Sequence, residues 1–405
     1  MSEDAYALNV GYAQVTITPE VALPMAGYAS RGKRPFETVE DPLTARAIFL
    51  EQGKARAVLL VADLVGIDES WGHRLRTGVG EQLSMPAENV VLFGTHTHFG
   101  PAVRAREMAG KEHEVWVQEA VRAMEEAAVA AAQKTRRSFL RVGTADVGEM
   151  MFNRRLRRPD GTCCTVYRLP LPEADLEFRP VDPKLTVLRF DDTQGEPVLL
   201  MASVGIHPVV GGGNFYGISA DYPGALRQAV EAVYQVPCVF ALGTAGNVVP
   251  LQRGEGQRAR LGRYLAGAVC QAAETARLSP VCLNVVHECL DLPAADDSRI
   301  PFEITTLHLG DLGVVALPGE IFVETGLMLQ QRSPFPKTLV LSMANQLTGY
   351  LPTRTAFWEG GYEASVTRMS ERSESLVVDQ ANHLLIQLWE AGLKREKGKE
   401  ASGFL

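Results

Sequence analysis

The chain has 405 residues, 46% hydrophobic and 22% charged, enough apolar material for one large globular domain or two ordinary ones. Its net charge of -8 is not offset by any basic run, which argues against an extended nucleic-acid footprint and against docking on an acidic membrane surface, and favours a small or uncharged substrate. No segment approaches the roughly 18 consecutive apolar residues of a spanning helix. The opening MSEDAYALNVGYAQV lacks both the basic region and the apolar run of a secretory leader. A cytoplasmic protein with no stable membrane insertion is the expectation. Cys163, Cys164, Cys238, Cys270, Cys282 and Cys289 show no CxxC spacing and lie mostly in apolar segments, so reduced, packed thiols are expected.

Taken in chain order, ARAIFL and RAVLLVADL read as strands, WGHRLRTGVGEQL as a polar helix, and NVVLFGTHTH as a strand running into a loop. Residues 113–135 form the clearest helix, rich in Ala and Glu with Val and Met at turn spacing. FLRVGTADV and KLTVLRFDD return to strand character, and the segment 154–182 between the two carries four prolines among charges, which suits a long surface excursion. There follow a strand (VLLMASVGI), a Gly-rich loop (GGGNFYG), a helix (YPGALRQAVEAVY) and an apolar strand (CVFALGTAG). A helix over 254–278, strands near 282–291 and 302–317, a helix from about 320, the strand TLVLSMAN and a final helix near 373–393 complete the chain. No repeat of 20–50 residues and no Gly/Ser linker stands out, so the reading is an α/β fold with a layered mixed-sheet core flanked by helices, one catalytic domain over 1–393 and a polar tail over 394–405.

The chemistry-bearing residues stand at strand ends. His96 and His98, in GTHTHFGP, follow a strand apolar enough to be buried on both faces. In an extended segment residues i and i+2 point the same way, so both imidazoles can address one point at the end where layered α/β folds place ligands. His207, in GIHPVVGG, repeats the arrangement after VLLMASVG. A lone histidine there is more often structural, but of eight histidines three end apolar strands before Gly/Pro-rich loops. Zinc takes imidazole nitrogens, adds a carboxylate and keeps a position open for water in catalytic sites. Glu320, in ALPGEIF, also follows an apolar strand and is placed to begin a helix, where favourable dipole placement is the competing explanation. Tyr350, in a loop after another buried-type strand, says nothing on its own. Asp63, at the end of LLVADL, is a candidate partner orienting a ligand histidine, with capping of the next turn the equal alternative. His73, His113, His287, His308 and His383 lie where nothing converges. The chain has no GxSxG, P-loop or HExxH, and GGGNFYG lacks the dinucleotide pattern.

These segments, with VGYAQVTITP, MAGYASRGK, FNRR, SADYPG, GTAGNVVP and TGYLPTRTAFWEGGYEAS, occur in the order found in the neutral/alkaline non-lysosomal ceramidases, over residues 9–366, and the chain resembles that family. The resemblance implies a zinc ion held by His96, His207, Glu320 and Tyr350, with His98 as general acid/base or oxyanion-polarising group. It implies Tyr362 beside the reaction centre and Asn153, Arg154 and Tyr362 as substrate contacts. The implied activity is zinc-dependent hydrolysis of an amide in a small-molecule or lipid-like N-acyl substrate, with no nucleic-acid partner and homo-oligomerisation left open.

Three departures bear on the substrate. Residues 246–250 read GNVVP where family members often carry GDVSPN, so no serine mechanism operates there. Phe99 replaces a small residue beside the histidines, which is expected to alter the pocket. The sequence is also read as lacking the leader and the C-terminal immunoglobulin-like domain, ~100 residues or more, expected of the secreted ceramidases. A substrate smaller than ceramide is one consequence; esters, lactones or cyclic amides are the alternative bond on the same site, and a non-catalytic binding protein is the alternative class.

Overall fold

The apolar runs ending at Ala62, Val204 and Ala316 are each the third strand of one β-β-β-α-β-α unit that occurs three times along the chain. A computed structural model describes residues 6–402 apart from 105–106 and 108–109, with the backbone alone described over 395–402. The first unit comprises strands Ala7–Thr16, Thr44–Gln52 and Ala55–Ala62, helix α1 (Glu69–Leu83), strand Val90–Gly94 and helix α2 (Gly110–Gln133). The second comprises Arg136–Asp146, Lys184–Asp191, Pro197–Val204, α3 (Asp221–Tyr234), Cys238–Leu242 and α4 (Gln257–Glu274). The third comprises Asn284–Pro293, Arg299–Leu309, Leu312–Ala316, α5 (Val323–Arg332) and Lys337–Leu341; the short helices α6 (Arg354–Glu359) and α7 (Tyr362–Val366) then precede its closing helix α8 (Ser373–Ser402).

In every unit the first three strands pair antiparallel and the fourth returns parallel to the third. The first and second units fuse by antiparallel pairing of Ala7–Val10 with residues 136–139. The third unit keeps its own four-stranded sheet. One apolar core lies between the sheets and draws on all three units, with Ile48 and Phe93 from the first, Leu188 and Val239 from the second, and Leu307 and Leu341 from the third. The outer faces are covered by α1 and α2, by α3 and α4, and by α5 and α8. Burial on both faces is why these strands read as nearly continuous apolar runs. Matching glycines hold α2 and α4 tight against the first strands of their units: a Cβ on Gly11 would stand 1.9 Å from the carbonyl oxygen of Ala131, and one on Gly143 1.9 Å from that of Ala272.

Several expectations are corrected. Glu320 does not begin a helix; it lies in a two-residue strand, Glu320–Ile321, paired parallel with Tyr350–Leu351, and α5 starts at Val323. The last helix continues past 393 to Ser402, through the residues expected to be a tail, of which 403–405 lie outside the described residues. The excursion over 154–182 is rooted in the interior, since Arg154, Arg155 and Leu156 are buried at its base. All six cysteines are free, but only Cys163, Cys164 and Cys238 are buried and Cys289 is exposed, so thiol packing does not extend to every one. Among the described residues no helix is long and apolar enough to cross a membrane.

Candidate metal centre and active site

The loops leaving the carboxyl ends of the core strands meet at one point. Gly94 N donates to Met343 O at 3.2 Å and Ser342 N to Leu242 O at 2.9 Å, so the fourth strands of the three units abut where their chains turn out of the sheets. The first unit delivers His96 and His98 to this junction, the second His207, and the third Glu320. His96 and His98 do not converge by extended i, i+2 alternation as expected: His96 has φ 66°, a left-handed turn that a non-glycine residue adopts at a cost. The turn is held because His96 N donates to Leu64 O at 2.9 Å and Thr95 N to Ala62 O at 2.8 Å.

The three imidazoles are buried and bring their Nε2 atoms together, 3.0 Å between His96 and His207, 3.3 Å between His96 and His98, and 3.2 Å between His98 and His207. Their other nitrogens differ. His96 Nδ1 donates to Val65 O at 2.6 Å and His207 Nδ1 to Ala245 O at 3.0 Å. A carbonyl can only accept, so both protons sit on Nδ1 and two Nε2 lone pairs face each other. His98 Nδ1 is buried without a partner, which leaves its tautomer free. Burial, and then the neighbouring imidazole of His96, hold the pKa of His98 and of His207 well below the ordinary histidine range, so both are neutral.

Glu320 Oε2 lies 3.3 Å from His96 Nε2 and 3.6 Å from His207 Nε2, and is itself buried without a hydrogen-bond partner. Facing lone pairs beside an orphaned carboxylate oxygen form an arrangement that a cation resolves. Ligands ~2.1 Å from a tetrahedral zinc stand ~3.4 Å apart, close to the spacings found here. The residues present therefore fit a zinc ion. Tyr350 stands against Glu320, and burial together with that carboxylate pushes its phenol well above its ordinary pKa.

Arg154 fastens the tyrosine: its Nη2 donates to Tyr350 Oη at 3.0 Å and to Gly246 O at 2.9 Å, while its Nε donates to Glu363 Oε1 at 2.6 Å. Glu363 also accepts from Arg155 Nη1 at 2.8 Å, so one fully buried carboxylate joins two buried guanidiniums. Burial raises the Glu363 pKa, but Arg154 and Arg155 outweigh it and hold the carboxyl below the usual range. Tyr362 is 43% exposed, its ring 5.9 Å from that of Tyr350, at the mouth of the site. Asn153 is not brought to the histidines: its amide donates to Pro180 O and Glu324 Oε1, and its carbonyl accepts from Arg155 N. Asp63 orients no histidine; it accepts from Thr44 and from both terminal nitrogens of Arg227, and backbone carbonyls orient the histidines instead. Phe99 is fully buried against Phe215 and Gly211, under the Gly-rich loop.

Sequence reasoning missed Glu363, Arg155, Tyr28 and Arg31. The Tyr28 ring packs edge-on against His98 at 5.0 Å, and Arg31 donates to the carbonyls of Ala26, His98, Gly213 and Phe215. Gly27, at φ 91°, is required because a Cβ there would stand 2.5 Å from the His98 ring. The segment MAGYASRGK had signalled this corner only as part of the family resemblance.

Residues 6–244 match the family described as neutral/alkaline non-lysosomal ceramidase, N-terminal. The chain belongs to the neutral/alkaline non-lysosomal ceramidase family. The match covers the first two units and ends two residues beyond the fourth strand of the second, so His96, His98 and His207 fall inside it and Glu320 and Tyr350 outside. Fold likeness extends to the third unit. Neutral ceramidase from Pseudomonas aeruginosa has a crystal structure similar to this chain with a TM-score of 0.79 at 18% identity, over 95% of this chain and 75% of that one. A ceramidase complexed with C2 is similar with a TM-score of 0.81 at 17% identity, over 95% of this chain and 76% of that one. Family membership supports a hydrolase of the ceramidase type acting on amide bonds.

Proposed function

We propose that this ceramidase-family chain is a zinc-dependent amidohydrolase cleaving the amide of an N-acyl compound, with His96, His207, Glu320 and Tyr350 as the metal's ligands and His98 as the group that moves the proton. One observation carries this division of labour. His96 and His207 have their Nδ1 protons fixed by backbone carbonyls, as ligand histidines do, whereas His98 Nδ1 has no partner and its tautomer is free to change.

Bound among these residues, zinc supplies a water whose pKa is lowered toward ~7 and a Lewis acid for the acyl oxygen. The protein's own groups do the rest. Neutral His98, its Nε2 within 3.3 Å of the ligand nitrogens, accepts a proton at one stage and donates it to the leaving amine at another. Arg154 holds the Tyr350 hydroxyl in place and adds positive charge beside the site where the oxyanion forms. Tyr362 and Tyr167, both more than 40% exposed and within 6 Å of the Arg154 guanidinium by ring centroid, form an aromatic rim on which an acyl chain can lie. Asn153 braces the loop that carries Arg154.

Elemental analysis of protein purified without added metal tests the reading. About one zinc per chain, lost in His96→Ala and in Glu320→Ala, with N-acyl amine hydrolysis abolished by chelation, is the expected result. A well-folded wild type without stoichiometric metal, or undiminished turnover after its removal, overturns it.

A further inference from the structure

Arg253 presents a buried and unused hydrogen-bonding fork beside the histidines. Its Nε and Nη2 are both closed to solvent and have no partner. These two nitrogens lie on one edge of the guanidinium, the edge that grips a carboxylate with two parallel N–H···O bonds. Arg154 and Arg155 are paired with Glu363, Arg76 with Glu303 and Arg31 with four carbonyls, while Arg227 and Arg258 each leave a single nitrogen without a partner; Arg253 leaves the two that form one edge. Two guanidinium nitrogens shielded from water without an acceptor are costly, and a native fold tolerates them chiefly where a ligand completes them.

The location ties this fork to the reaction centre. The Arg253 loop is pinned by Gly254 N donating to Val210 O at 2.8 Å, three residues beyond His207. Arg253 is within electrostatic reach of Tyr28, Arg154, Arg168, Asp221 and His98. The Tyr28 hydroxyl is a further buried group without a partner, on the ring that packs against His98. The carboxylates near the site are committed elsewhere, Glu320 to the metal position beside His96 and His207. Glu363 is taken by two arginines, and Asp221 accepts from the backbone N–H groups of Val210, Gly211 and Tyr222. Although the whole chain carries a net charge of -8, Arg154, Arg168 and Arg253 gather at this corner against Asp221.

Resting on the amidohydrolase reading, we infer that the substrate is an N-acyl compound bearing a carboxylate close to the scissile amide, as in an N-acyl amino acid, with that carboxylate seated on the Arg253 fork and the Tyr28 hydroxyl. Both nitrogens are shielded, so seating requires Arg253 to swing on its flexible stem toward the entering group. In the reaction the acyl C–N bond breaks, water gives its oxygen to the acyl carbon and its protons to the product groups, and the anchoring carboxylate leaves unchanged on the released amine.

The test compares N-dodecanoylglycine with N-dodecanoylglycinamide on the zinc-loaded full chain, on Arg253→Met and on Arg253→Lys, with thermal melts to check folding. Wild type is expected to favour the carboxylate in kcat/KM by about tenfold to a hundredfold, the worth of a charge-assisted bidentate contact. The ratio is expected to collapse toward unity in Arg253→Met and to survive in part in Arg253→Lys. Equal rates on the two compounds in wild type, or a ratio that Arg253→Met leaves intact, overturns the inference while sparing the amidohydrolase reading. If neither compound is hydrolysed, that reading fails for this class, and calorimetric binding of the same pair decides separately. Tighter binding of the carboxylate, lost in Arg253→Met, sustains the fork; equal binding, or none, overturns it.

Discussion

Glu320 and Tyr350 are directly opposed across a two-residue parallel ladder, with Ile321 opposite Leu351 beside them. The pairing sets a carboxylate and a phenol next to each other at the junction where the histidines arrive, and Arg154 locks the phenol from behind. Tyr350→Phe removes the hydroxyl without disturbing the ladder. Zinc affinity is expected to fall by about tenfold to a hundredfold, the usual effect of losing a group that supports or completes a metal site. Competition with a chromogenic chelator measures it, and an unchanged affinity would take Tyr350 out of the site.

His96 and His98 are neighbours in the chain with different duties, and their variants are expected to separate. His96→Ala loses the metal and the activity together. His98→Ala keeps about one zinc and loses turnover by about 10²–10⁴-fold, the range for removing a general acid/base. Metal content and kcat measured on the same preparations decide the point. Loss of zinc from His98→Ala would make His98 a ligand.

Glu363 joins Arg154 to Arg155 in the interior. Glu363→Gln leaves the buried Arg154 without its counter-ion and Arg155 with Glu359 alone, at 3.4 Å, and is expected to cost about 3–5 kcal/mol by denaturant titration. The effect depends on pH with a definite sign. The folded pKa lies below the ordinary 4.5, so the carboxylate's contribution is present above about 4.5 and is lost as pH falls through the depressed folded value. The gap between wild type and Glu363→Gln is expected to be full at pH 7 and to narrow below 4.5. A gap constant down to pH 3 would show that the charge is not what stabilises this cluster.

Gly11 and Gly143 occupy matching places in the first and second units, each with a helix carbonyl 1.9 Å from where a Cβ would stand. Ala at either position forces α2 or α4 away from its sheet. Each variant is expected to lose about 1–3 kcal/mol, and similar losses at the two sites would bear out their equivalence. Thermal or urea unfolding reads both.

Apolar runs followed by histidine or glutamate were legible in the chain itself, because strands buried on both faces leave continuous hydrophobic stretches and ligands collect at strand ends. That sufficed for the α/β class and, with the order of motifs, for the family and for His96, His98, His207, Glu320, Tyr350, Arg154 and Tyr362 as residues of interest. Only the tertiary structure revealed the threefold recurrence of the β-β-β-α-β-α unit, since three copies can keep one hydrogen-bonding pattern while sharing little sequence beyond features such as VGYAQV and VGTADV. Only it distinguished His96 and His207 from His98, a difference that lies in which carbonyl each Nδ1 meets. Arg253 could not be singled out among the arginines of the sequence, because whether a guanidinium is paired depends on carboxylates brought to it, or withheld from it, by residues far along the chain. Strand burial is local and periodic and leaves a mark on the sequence; the partner of a buried polar atom is set by long-range packing and leaves none.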